Sequence, residues 1–173
     1  MKKFVIIFLI IFLPFSCNAE DGLFFLDVDY LLNNSNYGKK IILKLKKIND
    51  ENITEIENLE KELKKEDEEI NKIKNIISKD ELNIKVNDLK NKISKYRENK
   101  DKIFKEYNNI KNNELETFFK KITPYIEEYM EINSIKLIMD KKNIFIANTK
   151  YDITEELIEF LNLKLKNDEV KQN

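Results

Sequence analysis

The sequence predicts an α+β fold, with a small β body at the centre of an oligomer and one long antiparallel helical hairpin projecting from each subunit. Three observations lead to this prediction. The 173 residues include only two Gly and two Pro, so few residues interrupt helices. Two apolar seams with heptad-like spacing run through the middle of the chain. Short apolar runs typical of strands lie near both ends.

The amino terminus has the layout of a secretory signal peptide. Residues 1–19 (MKKFVIIFLIIFLPFSCNA) contain two lysines, an apolar run at residues 4–13 and small residues before Ala19. The apolar run is too short for a comfortable membrane span, so cleavage after Ala19 is predicted. The alternative is a lipoprotein anchored at Cys17, although the usual aliphatic residue three positions upstream is missing.

Composition excludes several function classes. The chain has no His and a single Cys, which excludes a zinc cluster, a Cys/His nucleophile pair and a His general base. We therefore predict no catalytic residue, no metal site and no cofactor. After cleavage, 29 basic residues face 32 acidic ones, a net charge of about −3, and no basic block suggests nucleic acid as a partner.

The predicted body comes from two separate parts of the chain, residues 20–38 and 134–166. A first strand is predicted at residues 23–28 (LFFLDV), followed by a polar break and a tight bend at Gly38. A β-hairpin is predicted from residues 135–139 and 144–147, joined by a polar turn. We expect the apolar strand residues to form the oligomer body, namely Phe25, Leu26, Val28, Leu137, Met139, Ile144 and Ile146.

Residues 39–133 are predicted to form the helical arm, with the chain reversing near residues 77–84. The sequence SKDE, beginning at Ser78, is a capping box that starts the second helix. Glu66 and Lys100 occupy slots in the seams where apolar residues are expected. Pro124 falls inside the second helical pattern, and a kink or break is expected there.

A last helix is predicted after DITE, with Asp152 as its N-cap. Residues 167–173 form a polar tail. Three strands and short helices make a thin core with exposed edges for one chain. Oligomerisation would remedy both weaknesses by pooling apolar faces among subunits.

The order of these motifs resembles the Skp/OmpH family of periplasmic chaperones. The matching pieces are FFLDVDYLL, SNYGKK, LIMDKKNIFIA and YDITEELIEFLN, and together they extend through the whole chain after the signal peptide. The resemblance implies a homotrimer with three arms around a cavity. It also implies an ATP-independent holdase that keeps unfolded outer-membrane proteins soluble in transit across the periplasm.

One departure from the resemblance concerns charge. The best-known chaperones of this family are strongly basic, whereas this chain is slightly acidic after cleavage. Membrane-surface contact is therefore expected to be weak, and electrostatic steering of clients weaker or differently placed. The alternative function is a structural or scaffold coiled coil of the cell envelope, because the long seams fit that role equally well.

Overall fold

The computed structural model describes residues 22–171, and the predictions for the signal peptide and for Cys17 lie outside that range. The described residues form two strands and four α-helices. In chain order these are β1 (Leu23–Leu26), α1 (Val28–Asn34), α2 (Asn36–Ile73), α3 (Lys79–Ile132), β2 (Leu137–Asp140) and α4 (Thr154–Lys171).

The predicted helical hairpin is confirmed, and we call α2 and α3 together the arm. The helices have 38 and 54 residues, so they extend about 57 and 81 Å. Salt bridges join Lys44 to Glu114 near the base of the arm and Lys92 to Glu66 nearer its tip, as antiparallel helices require. The chain reverses between Ile73 and Lys79, slightly earlier than residues 77–84. The Ser78 hydroxyl caps α3 by accepting the amide of Glu81 at 3.2 Å.

The two ends of the chain meet in a small parallel sheet. β1 pairs with β2 in parallel, with Leu23 opposite Leu137 and Leu26 opposite Asp140. Parallel strands need a crossover connection, and here α1 and the whole arm supply it. The sheet therefore fixes the base from which the arm projects.

The predicted β-hairpin of residues 135–139 and 144–147 is wrong. Within residues 22–171, β2 pairs only with β1, and residues 144–147 are not in a strand. The Asp140 carboxylate accepts the amide of Lys142 at 3.1 Å and turns the chain into a 3-10 helix at Lys141–Asn143. This turn leads residues 144–147 away from β2, so their apolar side chains gain no strand partner.

The core lies where the base of the arm meets the chain ends. Phe118 and Ile122 of α3, Leu31 of α1 and Leu157 and Leu161 of α4 are almost completely buried. The remaining members of this cluster are less deeply buried, and they are Leu26, Ile41, Leu45 and Ile158. Residues distant in sequence therefore share one apolar cluster, which stabilises the base by removing apolar surface from water.

No helix break occurs at Pro124, and α3 continues to Ile132. A proline inside a helix lacks one amide donor and crowds the preceding turn. Here its neighbours oppose a break: Ile122 is buried in the core, and the Tyr125 hydroxyl bonds to Asp168 of α4. Tertiary packing on both sides of Pro124 thus overrides the local signal.

The corner between α1 and α2 depends on Gly38, which lies in the first turn of α2 rather than in the predicted bend. The buried Ser35 hydroxyl accepts the Gly38 amide at 3.2 Å. A Cβ added at Gly38 would lie 1.9 Å from the Leu32 carbonyl oxygen, which belongs to backbone and cannot rotate away. Close contact between the two helices therefore requires glycine here.

We expect Gly38→Ala to destabilise the protein by at least about 2 kcal/mol in urea unfolding, because the helices must separate to admit the methyl group. Helix propensity alone predicts the opposite sign, a gain of about 1 kcal/mol. Lys39→Ala, at the exposed neighbouring position, is the matched control and should change stability little. A Gly38→Ala protein as stable as the wild type would contradict the close contact.

Candidate assembly and client-binding surfaces

A polar junction ties the first strand to the start of the last helix. The amide of Ile153 donates to the carbonyl of Phe25 at 3.1 Å, beside the bridge between Phe25 and Asp152. The amide of Asp27 donates to the Thr154 hydroxyl at 2.9 Å. β1 is thus held by β2 on one side and by residues 152–154 on the other.

Lys141 links this junction to the chain leaving β2. Its Nζ atom lies 3.0 Å from Asp152 Oδ2 and 3.9 Å from Asp27 Oδ2. The hydrogen bond to Asp152 raises the pKa of Lys141, so the lysine stays charged over the working pH range. One cation therefore contacts carboxylates from both ends of the chain.

Asp152 lies one position further from α4 than predicted. The helix begins at Thr154 and its first backbone bond runs from Leu157 to the Ile153 carbonyl, which makes Ile153 the N-cap position. The Asp152 carboxylate instead accepts the Thr154 amide at 3.1 Å and the Thr154 hydroxyl at 2.5 Å. It still satisfies an amide at the helix start, from outside the helix.

The residues predicted for the oligomer body differ in how far the chain itself covers them. Phe25 and Leu26 are buried within the chain, and Val28 packs against the core. Ile144 is half-buried. The exposed group consists of Leu137, Met139 and Ile146, with 48%, 43% and 84% of their surfaces accessible. Only the exposed group and Ile144 remain available for contacts with another molecule.

An apolar groove lies beside the sheet. Its volume is about 480 Å³. Its apolar lining residues are Leu23, Phe24, Phe25, Met139, Ile144, Ala147 and Tyr151. Phe24 and Tyr151 pack edge to face in its wall, with ring centroids 5.9 Å apart. Met139 is the residue of β2 that lines the groove. No described residue pairs with the outer edge of β2.

Sequence reasoning missed Phe145 as a candidate assembly residue. Phe145 is fully exposed and Ile146 nearly so, and the two are adjacent in an irregular segment. Ile144 and Ile146 were chosen from this segment, and Phe145 was not. Fully exposed neighbouring large apolar residues indicate a contact surface. The apolar run IFIA was the signal that could have included both.

The arm carries scattered exposed apolar side chains among its lysines and glutamates. Ile76, in the turn that joins the helices, and Ile84, near the start of α3, are 81% and 70% exposed. Leu43, Ile53, Phe104 and Phe119 are exposed along its length. These residues are spread over both helices, so they offer many small apolar contacts rather than one binding pocket.

Among residues 22–171, no three His, Cys, Asp or Glu side chains cluster in a way that could hold a metal ion. No described helix has the length and apolar character needed to cross a membrane.

The family model for OmpH-like outer membrane proteins matches residues 22–161. This chain belongs to the OmpH-like family. A crystal structure of an OmpH-like protein from Caulobacter crescentus CB15, a candidate outer membrane chaperone, is similar with a TM-score of 0.71. The two chains are 19% identical, and the similarity covers 83% of this chain and 85% of the other. That identity supports a shared fold. A comparison with curated proteins gave no match.

We expect Asp152 to make the junction acid-sensitive. Burial raises its pKa, but hydrogen bonds from Thr154 and Lys141 outweigh burial, and the net pKa is lowered. A lowered folded-state pKa gives stability that is present above about pH 4, the unfolded value, and lost as pH falls through the folded value. The stability difference between wild type and Asp152→Asn should therefore shrink from pH 7 to pH 3.

Urea unfolding at both pH values measures this difference. Asp101→Asn, at an exposed arm position, is the control for removing one carboxylate. An Asp152→Asn effect that stays constant or grows on acidification would contradict the role of the carboxylate.

Proposed function

We propose that this protein is an ATP-independent periplasmic holdase that binds unfolded outer-membrane proteins between the arms of a homotrimer. The observation that carries the proposal is the long two-helix arm projecting from a small base, in a chain of the OmpH-like family. An arm with dispersed apolar and charged side chains suits weak contacts with many client sequences. No catalytic residue or cofactor is proposed, and the signal peptide would direct the chain to the periplasm.

The homotrimer would be built from the base, with residues 20–38 and 134–166 as its body. The groove beside the sheet, the unpaired edge of β2 and the exposed Phe145 and Ile146 support this part of the proposal. If the apolar segment of each subunit enters the groove of the next, both surfaces are covered around a closed ring. Such covering would also remove an exposed strand edge, which otherwise favours aggregation.

We expect Ile146→Asp to weaken assembly, because it places a charge in the proposed interface, where burying it would be costly. Light scattering coupled to size exclusion should give the mass of a trimer for the wild type and lower mass at micromolar concentration for the variant. Ile146 is 84% exposed within one chain, so circular dichroism should remain unchanged.

Ile84→Asp is the matched control, since Ile84 is similarly exposed but lies near the arm tip. It should remain a trimer. A wild-type monomer would contradict the proposed assembly, and so would an Ile146→Asp trimer as stable as the wild type.

The holdase activity is tested by diluting a denatured outer-membrane β-barrel out of urea and following its light scattering. One trimer per client should suppress most of the aggregation without ATP, and the same mass of a helical protein without chaperone activity should not. Ile146→Asp should suppress less, because separate arms cannot enclose a client. Undiminished aggregation with an intact wild-type trimer would contradict the holdase and leave the assembly proposal standing.

A further inference from the structure

The arm contains two apolar regions separated by a stretch without buried residues. Ile41 and Leu45 of α2 are buried at the base, and the next buried residue of α2 is Ile70 near the tip. On α3, no residue between Leu89 and Ile103 is buried, and Ile103 lies one turn beyond Asn99, which bonds to Glu55 of α2. The part of the arm between Ile103 and the tip region of Ile70 and Leu89 therefore lacks buried contacts.

Polar side chains make the hydrogen bonds between the helices in this stretch. The Glu55 carboxylate accepts from Asn99 Nδ2 at 3.2 Å, and the Glu60 carboxylate accepts from the Tyr96 hydroxyl at 3.5 Å. Glu66 accepts from Lys92 Nζ at 2.7 Å. We call residues 55–66 of α2 and 92–100 of α3 the polar joint.

Packing in the polar joint is incomplete. A cavity of about 380 Å³ lies between the helices, and its lining includes Leu59, Leu63 and Tyr96 together with Glu66 and Lys92. The apolar members are half-buried rather than buried. Side chains that face a void lose dispersion contacts, so this stretch resists opening less than a packed seam would.

Lys92 is the centre of the charge contacts. Its Nζ also lies 2.9 Å from Asp88 Oδ2, so one lysine bridges a carboxylate on its own helix and one on the facing helix. Its side chain is 47% exposed and that of Glu66 is 32% exposed. Ion pairs this exposed contribute little free energy and are screened by salt. The hydrogen bond to Glu66 raises the pKa of Lys92, which keeps the lysine charged at neutral pH.

We propose that the polar joint opens locally while the base and the tip of the arm stay closed, and that ionic strength sets how often it opens. Salt weakens the bridge from Lys92 to Glu66. It also weakens the bridge from Lys44 to Glu114 at the base, but there the buried apolar cluster, which does not depend on salt in this way, keeps the helices together. At the tip, Ile70 and Leu89 are buried as well. The arm would then bend between its middle and its tip rather than at its base. This inference goes beyond the proposed function and does not depend on it.

Hydrogen exchange measured by mass spectrometry tests the proposal on the intact protein. Between 50 mM and 500 mM NaCl, amides of residues 55–66 and 92–100 should exchange about two- to fivefold faster, the effect of losing one exposed ion pair. Amides around Leu45 and Phe118 should not accelerate, because they lie in the buried base.

Two variants distinguish the effect of the Lys92–Glu66 bridge from a general effect of salt on exchange. Lys92→Gln removes the cation. In this variant, the amides of the polar joint should exchange in low salt as fast as those of the wild type do in high salt. The double variant Glu66→Leu, Lys92→Leu puts apolar side chains at the cavity. The amides of its polar joint should exchange more slowly than those of the wild type, and the exchange should no longer depend on salt. Lys47→Gln is the matched control, because Lys47 pairs with Glu51 of its own helix and does not bridge the helices.

Three results would overturn the proposal. The first is that salt accelerates amide exchange equally along the whole arm. The second is unchanged exchange of the polar joint in the wild type. The third is a Lys92→Gln arm whose joint remains as protected and as salt-sensitive as that of the wild type. Because the exchange is measured without a client, failure of the holdase assay would leave this test unaffected.

Discussion

The parallel pairing of β1 with β2 is the constraint on which the rest of the structure depends. A parallel pair cannot be closed by a tight turn, so the chain must leave the sheet and return to the same end. Here the crossover is α1 and two long antiparallel helices, and its return fixes the start of β2 opposite the start of β1. The buried cluster around Phe118 and Leu157 then holds both chain ends against the base of the arm.

This arrangement concentrates the apolar surface at one end of a long molecule. One chain can cover Phe25 and Leu26 with its own residues, but it leaves Phe145, Ile146 and the edge of β2 exposed. A small core has too few elements to cover every apolar face, which is a general limit on small domains. The proposed homotrimer follows from the same limit, since other copies would supply the missing cover.

The sequence was sufficient to predict the elements whose signals are local. The arm was predicted correctly from the seams, the Ser78 capping box and the scarcity of Gly and Pro, because helix periodicity and capping act within a few residues. The wrong predictions concern segments whose structure is determined by residues distant in the sequence. Pro124 stays helical because α4 and the core hold its neighbours, and β2 pairs with a strand from the other end of the chain. Gly38 looked like a bend, because a close approach between two helices cannot be read from spacing alone.

The exposure of the residues proposed for assembly could not be predicted from the sequence, since exposure within one chain is a property of the folded base. Ile144 and Ile146 were chosen as residues of a predicted strand and Phe145 was not, although the segment that contains all three is not a strand. The charged residue in the apolar seam of α2, by contrast, could be identified from the sequence. Glu66 was recognisable in the sequence as a misfit in the seam, and the structure gives it a partner, Lys92, on the facing helix. A charged residue in an apolar seam lowers the stability of the contact at that point, and a salt-dependent bond to one partner offsets part of that loss. The polar joint therefore follows from charged side chains placed within an otherwise apolar seam.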